Sequence, residues 1–305
     1  MKTKKPALPP PTKDGASGDE KHAIHWFPGH MKKAKEEIAK NLKKVDLILE
    51  VRDARAPLVT ANLDLAKTFG SKKRLIILNK ANLNDPRSTQ LWKAWFLAHK
   101  ERVLFIEDYQ PKTLKRLVRE VKEITAGPRE GLLKKGINPP PIRMMVLGIP
   151  NVGKSTLINR LCRHKKANTG DKPGLTKNQA WAVIDKGLEL LDTPGVMPPR
   201  VQSEKEGRVL CAIHAIRDEI IGKQKVANFV LEKLIKNPTP EFTQRYGAVT
   251  SDKSPQQFAE EIGETMNLVK KGGEISPEKV FERVLADFRN GRLGKISLED
   301  PPDVE

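Results

Sequence analysis

Gly148-Ile149-Pro150-Asn151-Val152-Gly153-Lys154-Ser155 follows a short apolar run, Ile142 to Leu147, and precedes a stretch in which Leu157, Ile158 and Leu161 recur at helical spacing. Two glycines, a lysine and a serine at this spacing, where a strand turns into a helix, make a phosphate-binding loop. The glycines let backbone N–H groups close round the phosphates, at the positive end of a helix whose first amides lack partners. Asn151, Val152, Gly153, Lys154, Ser155 and Thr156 are thereby nucleotide-binding positions, with Lys154 reaching the β and γ phosphates and Ser155 ligating Mg²⁺. A Gly-rich turn with an incidental lysine is the competing reading, and the strand and helix on either side argue against it.

Two segments downstream extend the site. Leu188 to Leu191 is an apolar run ending in Asp192-Thr193-Pro194-Gly195. An acid at the carboxyl end of a strand beside the phosphate loop holds the magnesium shell through water, and the glycine lets a backbone N–H approach the γ phosphate. Between the motifs, Lys172-Pro173-Gly174-Leu175-Thr176 is a polar loop, and Thr176 is the second hydroxyl expected on Mg²⁺. The base-reading element lies upstream instead. Arg74 to Leu78 reads as a strand and is followed by Asn79-Lys80-Ala81-Asn82, close to the Asn-Lys-x-Asp signature by which GTPases read guanine. This element ordinarily follows the phosphate loop, so the order of motifs is circularly permuted.

The ordered set Trp26-Phe27-Pro28-Gly29-His30-Met31, Val51-Arg52-Asp53-Ala54-Arg55-Ala56-Pro57, Asn79-Lys80, Gly148 to Thr156 and Asp192 to Gly195 resembles the RbgA/YlqF family of circularly permuted ribosome-assembly GTPases and their mitochondrial relatives. The similarity runs from about His25 onward. It implies a GTPase of low intrinsic rate that binds GTP and GDP, engages the immature large ribosomal subunit and its rRNA, and is stimulated by it. It also implies catalysis without the usual glutamine, since Val196 follows Asp-Thr-Pro-Gly and cannot orient a water. In similar proteins that task is attributed to the histidine of the Pro-Gly-His string, here His30; a helix cap is the alternative role for this residue. The family further implies K⁺ near the β and γ phosphates, held by Asn151, whose alternative role is a turn former.

Two positions depart from the family pattern. Asn82 stands where an aspartate would accept two hydrogen bonds from the guanine edge, and an amide accepts only one of them without facing its own NH₂ to a donor. The expected cost is about 1.5 to 3 kcal/mol, or about ten- to a hundredfold in affinity. On this reasoning Asn82→Asp tightens GTP binding and xanthine nucleotides compete better than usual. Asp85 comes three residues late and cannot replace the missing acid without a loop rearrangement. After the strand Val103 to Ile106, where a Ser-Ala-like backbone contact to the base belongs, the chain reads Glu107-Asp108, and the sequence assigns neither residue a role.

Charge supports a nucleic-acid partner. The 305-residue chain carries a net charge of +18, and the excess is confined to residues 1–200, which hold 40 Lys and Arg against 20 Asp and Glu; residues 201–305 hold 16 against 18. Clusters such as Lys72-Lys73-Arg74 and Arg116 to Lys122 suit phosphate-backbone contacts with little sequence reading. Residues 1–21 are Lys- and Pro-rich with no apolar period and read as a disordered basic tail. The acids Asp14, Asp19 and Glu20 disfavour a transit peptide, no apolar run is long enough for a membrane span, and two cysteines suit a reducing cytoplasm.

The expected architecture is an α/β domain over residues 22–200, a circularly permuted P-loop GTPase with a mostly parallel sheet and helices on both faces. Gly127 to Pro141 reads as the Gly- and Pro-containing connection between the old chain ends. A small all-α domain over 201–305 follows, with helices over Val209 to Ile221, Val226 to Ile235, Pro255 to Val269 and Pro277 to Arg289, and it resembles the family's RNA-contacting domain. The expected function is a monomeric, cytoplasmic, GTP-hydrolysing assembly factor for the large ribosomal subunit. The alternative is an RNA-binding assembly protein whose nucleotide site has lost guanine specificity through Asn82.

Overall fold

The computed structural model describes residues 24–25, 29–169, 181–191, 197, 200–247 and 253–302. The basic tail 1–21, Thr176, Asp192 and Gly195 lie outside the described residues. In chain order the first half contains β1 (Ile24–His25), α1 (Gly29–Leu42), β2 (Leu47–Asp53), α2 (Leu63–Ala66), β3 (Lys73–Asn79), α3 (Pro86–Ala98), β4 (Val103–Phe105), α4 (Pro111–Lys134) and β5 (Ile142–Leu147). Then come α5 (Lys154–Thr169), β6 (Ala182–Asp185), β7 (Leu188–Leu191) and β8 (Arg200–Val201). The remainder is helical, with α6 (Glu204–Ala212), α7 (Lys223–Lys236), α8 (Pro240–Tyr246), α9 (Pro255–Thr265) and α10 (Pro277–Arg289).

Six strands form one sheet in the order β4-β3-β2-β5-β7-β6, parallel throughout except for the β6–β7 hairpin. The strands' apolar residues alternate between two layers because side chains of neighbouring residues leave opposite faces. Leu47, Leu49, Val51, Leu75, Ile77, Met144 and Val146 enter one cluster. Ile48, Met145 and Leu147 pack with Ile38 and Leu42 of α1, and Ile76 and Leu78 pack with Trp92, Trp95 and Phe96 of α3. Helices therefore cover both faces, as the α/β pattern requires.

The central strand β2 is buried along its whole length, yet its sequence includes Glu50, Arg52 and Asp53. Charges without water must be paired. Glu50 accepts from Arg52 Nε at 2.8 Å and from Arg74 Nη1 at 3.0 Å. Burial alone would raise its pKa, but the two guanidinium groups outweigh this and hold it below the ordinary value. Arg74 in turn donates to Glu101 at 2.5 Å, which fastens the start of β3 to the turn before β4.

Helix α4 corrects one expectation. It continues through Gly127 and Pro128 to Lys134, so the connection to β5 is shorter than the Gly127–Pro141 stretch. A proline inside a helix leaves the carbonyl four residues back without its usual N–H. Here that carbonyl belongs to Ile124, and Lys73 Nζ donates to it at 2.5 Å. The burial of α4 ends at Thr125, so the ring of the exposed Pro128 meets no packed neighbour from the sheet.

In the helical part α10 packs on α7, α9 and α6. A short helix absent from the sequence expectations, α8, is capped by Thr239 and contributes Phe242 and Tyr246 to the core. The apolar cluster of the sheet runs on without a break through Leu210, Phe229, Val230, Phe242, Phe258, Val280 and Val284. After α10 the chain returns across the sheet part. Ile296 N donates to Leu83 O and Leu298 N to Arg55 O, each at 2.9 Å. Trp92 Nε1 donates to Glu299 O at 3.2 Å, and the Glu299 carboxylate accepts from the backbone N–H of Leu58 and Val59 at 2.8 and 3.2 Å. Among the described residues no helix is long and apolar enough to cross a membrane.

Burial pushes Glu299 up to about 7, against the pull of those two N–H groups and Arg52, with Glu206 adding to the rise. A carboxyl whose folded pKa exceeds its unfolded value stabilises the fold below the unfolded pKa, and that contribution is lost as pH rises through the folded one. Glu299→Gln keeps the acceptor oxygen without the charge. The variant is expected to match the wild type near about pH 5 and to exceed it near about pH 8 by on the order of 1–3 kcal/mol. Thermal unfolding at the two pH values checks this, and equal pH dependence of both proteins would contradict it.

Candidate nucleotide site

The phosphate loop leaves β5 at Gly148, where an added Cβ would meet Val51 O at 2.3 Å, so only glycine lets β5 and the end of β2 approach this closely. The loop enters α5 at Lys154, as the sequence requires. Lys154 is buried, and its Nζ donates to Ile149 O at 2.8 Å, folding the side chain back across the loop. Val152 is buried beneath the loop, while Asn151, Ser155 and Thr156 are exposed at its outer side. Asn151 adopts a left-handed backbone with φ of 61°, and its Nδ2 donates to His214 O from the helical part. A bond made through nitrogen leaves the carboxamide oxygen, the atom a cation takes, outside that contact.

The parallel sheet brings the base-reading element to this loop although 73 residues separate them. Asn79 ends β3 and its Nδ2 donates to Val152 O at 2.8 Å. Lys80, left-handed at φ of 58°, reaches Asn151 O with its Nζ at 2.8 Å. The fit is close enough that Gly153 has no room for a side chain, since a Cβ would come within 2.1 Å of Asn79 Nδ2 and φ is already +95°. Asn82 is exposed on the short 3₁₀ turn after Lys80. Asp85 accepts from Ser88 N at 2.7 Å as the N-cap of α3, which occupies it and explains why it does not stand in for an aspartate at position 82.

Two parts of the site have no signal in the phosphate-loop or Asn-Lys motifs. The first is Asp53 at the end of β2. Its carboxylate, with no exposure, receives Arg55 Nε and Nη2 at 2.9 Å each and lies 3.1 Å from Lys80 Nζ. Burial would raise its pKa, but the Arg55 guanidinium and Lys80 hold it well below the usual carboxylate range. The Arg55 guanidinium stacks 4.9 Å from the ring centroid of Phe288 on α10. The Val51–Pro57 motif carried this pair in the sequence, without saying what the charges held.

The second is Tyr109, whose hydroxyl donates to Asn79 Oδ1 at 2.7 Å. Burial pushes the phenol pKa up, against the Asn79 bond and Arg160, so the group stays a donor at neutral pH. Asn79 is thus held from both ends, by Tyr109 at its oxygen and by the phosphate loop at its nitrogen. Beside it opens a cavity of about 140 Å³ lined by Asn79, Lys80, Asn82, Glu107, Tyr109, Gly153 and Thr156.

The remaining expected residues are placed in part. His30 is the second residue of α1, and its side chain lies outside the described residues. β1 pairs antiparallel with β8, setting His25 opposite Arg200, so the strand just before the Pro-Gly-His string runs beside the segment that follows Asp192 to Gly195. Ser155 is at the start of α5, whereas Thr176, Asp192 and Gly195 lie outside the described residues. Among the described residues no three His, Cys, Asp or Glu side chains are grouped to hold a metal.

Comparison with known proteins accords with this geometry. Residues 143–264 match a family described as 50S ribosome-binding GTPase. The chain is 37% identical over 278 residues to ribosome biogenesis GTPase A of Bacillus pumilus, covering 91% of this chain and 99% of that one. The chain belongs to the ribosome biogenesis GTPase A family. A mitochondrial relative, Short integuments 2 of Arabidopsis thaliana, is 34% identical over 234 residues, covering 71% of this chain and 58% of that one. Among solved structures, GNP-bound YlqF from T. maritima superimposes with a TM-score of 0.60 at 28% identity, covering 89% of this chain and all of that one. A GDP-bound YlqF structure matches equally, with a TM-score of 0.60 at 27% identity. Family membership accounts for the circular permutation: β3 and its Asn-Lys precede β5 in sequence and flank the same loop in space.

Removing the Tyr109 hydroxyl leaves Asn79 Oδ1 without its donor while preserving the ring. Tyr109→Phe is expected to weaken GDP binding by about 1 kcal/mol, roughly fivefold. Gly153→Ala, which drives a methyl into Asn79, is expected to abolish binding while the protein stays folded. Calorimetric titration with GDP, alongside circular dichroism, measures both.

Proposed function

We propose that this protein hydrolyses GTP to GDP and phosphate in the service of ribosome assembly, acting on the large subunit. The observation that carries the reading is the convergence of Asn79 and Lys80 on the backbone of Val152 and Asn151, which joins base-reading and phosphate-holding elements in one site. Phosphate positioning and charge neutralisation supply most of the catalysis of such a reaction. The loop amides and Lys154 hold the β and γ phosphates, and the base is held where Asn79 is fixed.

Mg²⁺ suits the donors present. The Ser155 hydroxyl is exposed at the start of α5, and hydroxyl, carboxylate and phosphate oxygens are the hard ligands this ion takes. Ser155 and Thr176 would hold it directly and Asp192 through water, and the ion neutralises developing phosphate charge when bound. We assign Asn151 to K⁺ through its carboxamide oxygen, and Thr156, Thr176 and Gly195 to the nucleotide. His30 is the residue proposed to position the attacking water, whose oxygen bonds to the γ phosphorus as the bond to the β–γ bridging oxygen breaks. The pairing of β1 with β8 supports this, because it sets the strand just before the Pro-Gly-His string beside the strand that follows Asp192 to Gly195 in sequence.

The division of labour follows the charge distribution. Residues 22–200 bind nucleotide and carry the basic surface, and residues 201–305 form the helical part that meets rRNA by shape and local contacts. The Asn151–His214 and Arg55–Phe288 contacts couple the two, so loss of the γ phosphate is read out as release from the particle. We read the protein as a monomer acting in the cytoplasm.

GTP turnover with and without purified large subunits tests the proposal. Stimulation in potassium buffer is expected, with His30→Ala keeping GTP affinity within a few fold but losing the stimulated rate. A rate unchanged between sodium and potassium would remove the ion from the mechanism. Particle binding without stimulation would favour an RNA-binding assembly protein with a structural nucleotide.

A further inference from the structure

We propose that Glu107 replaces the missing aspartate of the Asn-Lys-x-Asp signature and reads the Watson–Crick edge of guanine from the neighbouring loop. The inference rests on the reading of this site as a guanine-nucleotide site and names the residue that decides its base specificity.

Three acidic side chains lie on the segments that follow β3 and β4, Asp85, Glu107 and Asp108, and two are already committed. Asp85 caps α3 through Ser88 N. Asp108 accepts from Thr113 Oγ1 at 2.7 Å and from Gln110 N at 3.1 Å, fastening the start of α4, and these bonds lower its pKa. Glu107 differs from both. It is exposed, it makes no hydrogen bond or ion pair with the described residues, and it alone among acids lines the cavity that Asn79, Lys80 and Asn82 also line.

Guanine presents N1–H and an exocyclic NH₂ on one edge, two donors in the geometry that a single carboxylate accepts, and charge-assisted acceptance is the stronger kind. The cavity is lined by one carboxylate, Glu107, and by the carboxamide of Asn82 beside the already engaged Asn79, on adjacent loops at the carboxyl ends of β3 and β4. The charge expected at position 82 is therefore present at position 107. The two departures from the family pattern compensate one another, with the amide of Asn82 as a donor suited to hold the Glu107 carboxylate rather than as a defective reader of the base. An aspartate at 82 would instead place two carboxylates in one cavity. This reverses the expectation from sequence that Asn82→Asp tightens binding.

The test is calorimetric titration of GDP, IDP and XDP into the wild type, Glu107→Gln, Asn82→Asp and the double variant. IDP lacks the 2-amino group, and XDP carries a carbonyl in its place. The wild type is expected to prefer GDP to both. Glu107→Gln is expected to lose about ten- to a hundredfold in GDP affinity, to stop distinguishing GDP from IDP, and to gain in relative affinity for XDP. Asn82→Asp alone should weaken or leave unchanged the binding of GDP, whereas in the Glu107→Gln background it should restore GDP binding by returning one carboxylate to the cavity. That rescue distinguishes base reading from a structural role. Glu107 is exposed and the change is isosteric, and circular dichroism verifies folding. GDP binding by Glu107→Gln equal to that of the wild type, a wild-type preference for XDP, or tighter GDP binding by Asn82→Asp alone would overturn the proposal while leaving the guanine-nucleotide site intact. Failure of the wild type to bind any of the three would overturn both readings.

Discussion

A fully buried carboxylate, Asp53, ties the parts of this protein together. An unpaired ion at that depth would be untenable, and the structure meets the demand with two cations from different directions. Arg55 closes on it as a bidentate fork, and Lys80 reaches it from the end of β3. Each partner carries the linkage further. Lys80 continues to the carbonyl of Asn151 in the phosphate loop, and Arg55 lies over Phe288 of α10 while its own carbonyl receives Leu298 N. Central strand, base-reading turn, phosphate loop and the last helix are thus held to one point. Removal of Asp53 would leave the buried Arg55 guanidinium without its carboxylate partner.

The same arrangement shows why the permuted chain functions like an ordinary one. A nucleotide site at the carboxyl edge of a parallel sheet depends on which strands lie next to each other, and not on the order in which the chain visits them. β2 separates β3 from β5 in the sheet, and the loops at their ends still meet, through Asn79 and Val152. New chain ends in this topology come where β1 meets β8 and where the helical part begins. The helical part follows directly on β8 in the chain.

The helical part is bound to the sheet part more closely than a tethered domain would be. One apolar cluster runs from Leu47 to Leu298. The segment after α10 contributes backbone bonds to Leu83 and Arg55, and a carboxylate to the loop after β2. Its backbone bonds to Leu83 and Arg55 and its carboxylate contact with Leu58 and Val59 fall within a few residues of Lys80 or Asp53. Its docking is therefore sensitive to how the base-reading turn is set.

Much of this was legible in sequence because phosphate binding demands particular residues in one short stretch. The loop Gly148 to Ser155, its flanking strand and helix, the alternation of strands and helices, and the displaced Asn79-Lys80 all announced themselves by local pattern. Local pattern also misled at Pro128, where a distant lysine supplies the bond that proline cannot, and fell silent at α8. Composition could not show that Lys80 joins the buried Asp53–Arg55 pair, because that contact is made across strands adjacent only in the folded sheet. Nor could it settle Glu107, which in sequence reads only as a departure from an expected Ser-Ala. Specificity of this kind depends on which polar groups face one cavity and which are already occupied by helix caps, as Asp85 and Asp108 are. Sequence by itself determined the phosphate-binding loop with its flanking strand and helix. Tertiary structure decided that Lys80 reaches the Asp53–Arg55 pair and that Glu107 faces the same cavity as Asn82, since both are set by contacts between segments that lie apart in the chain.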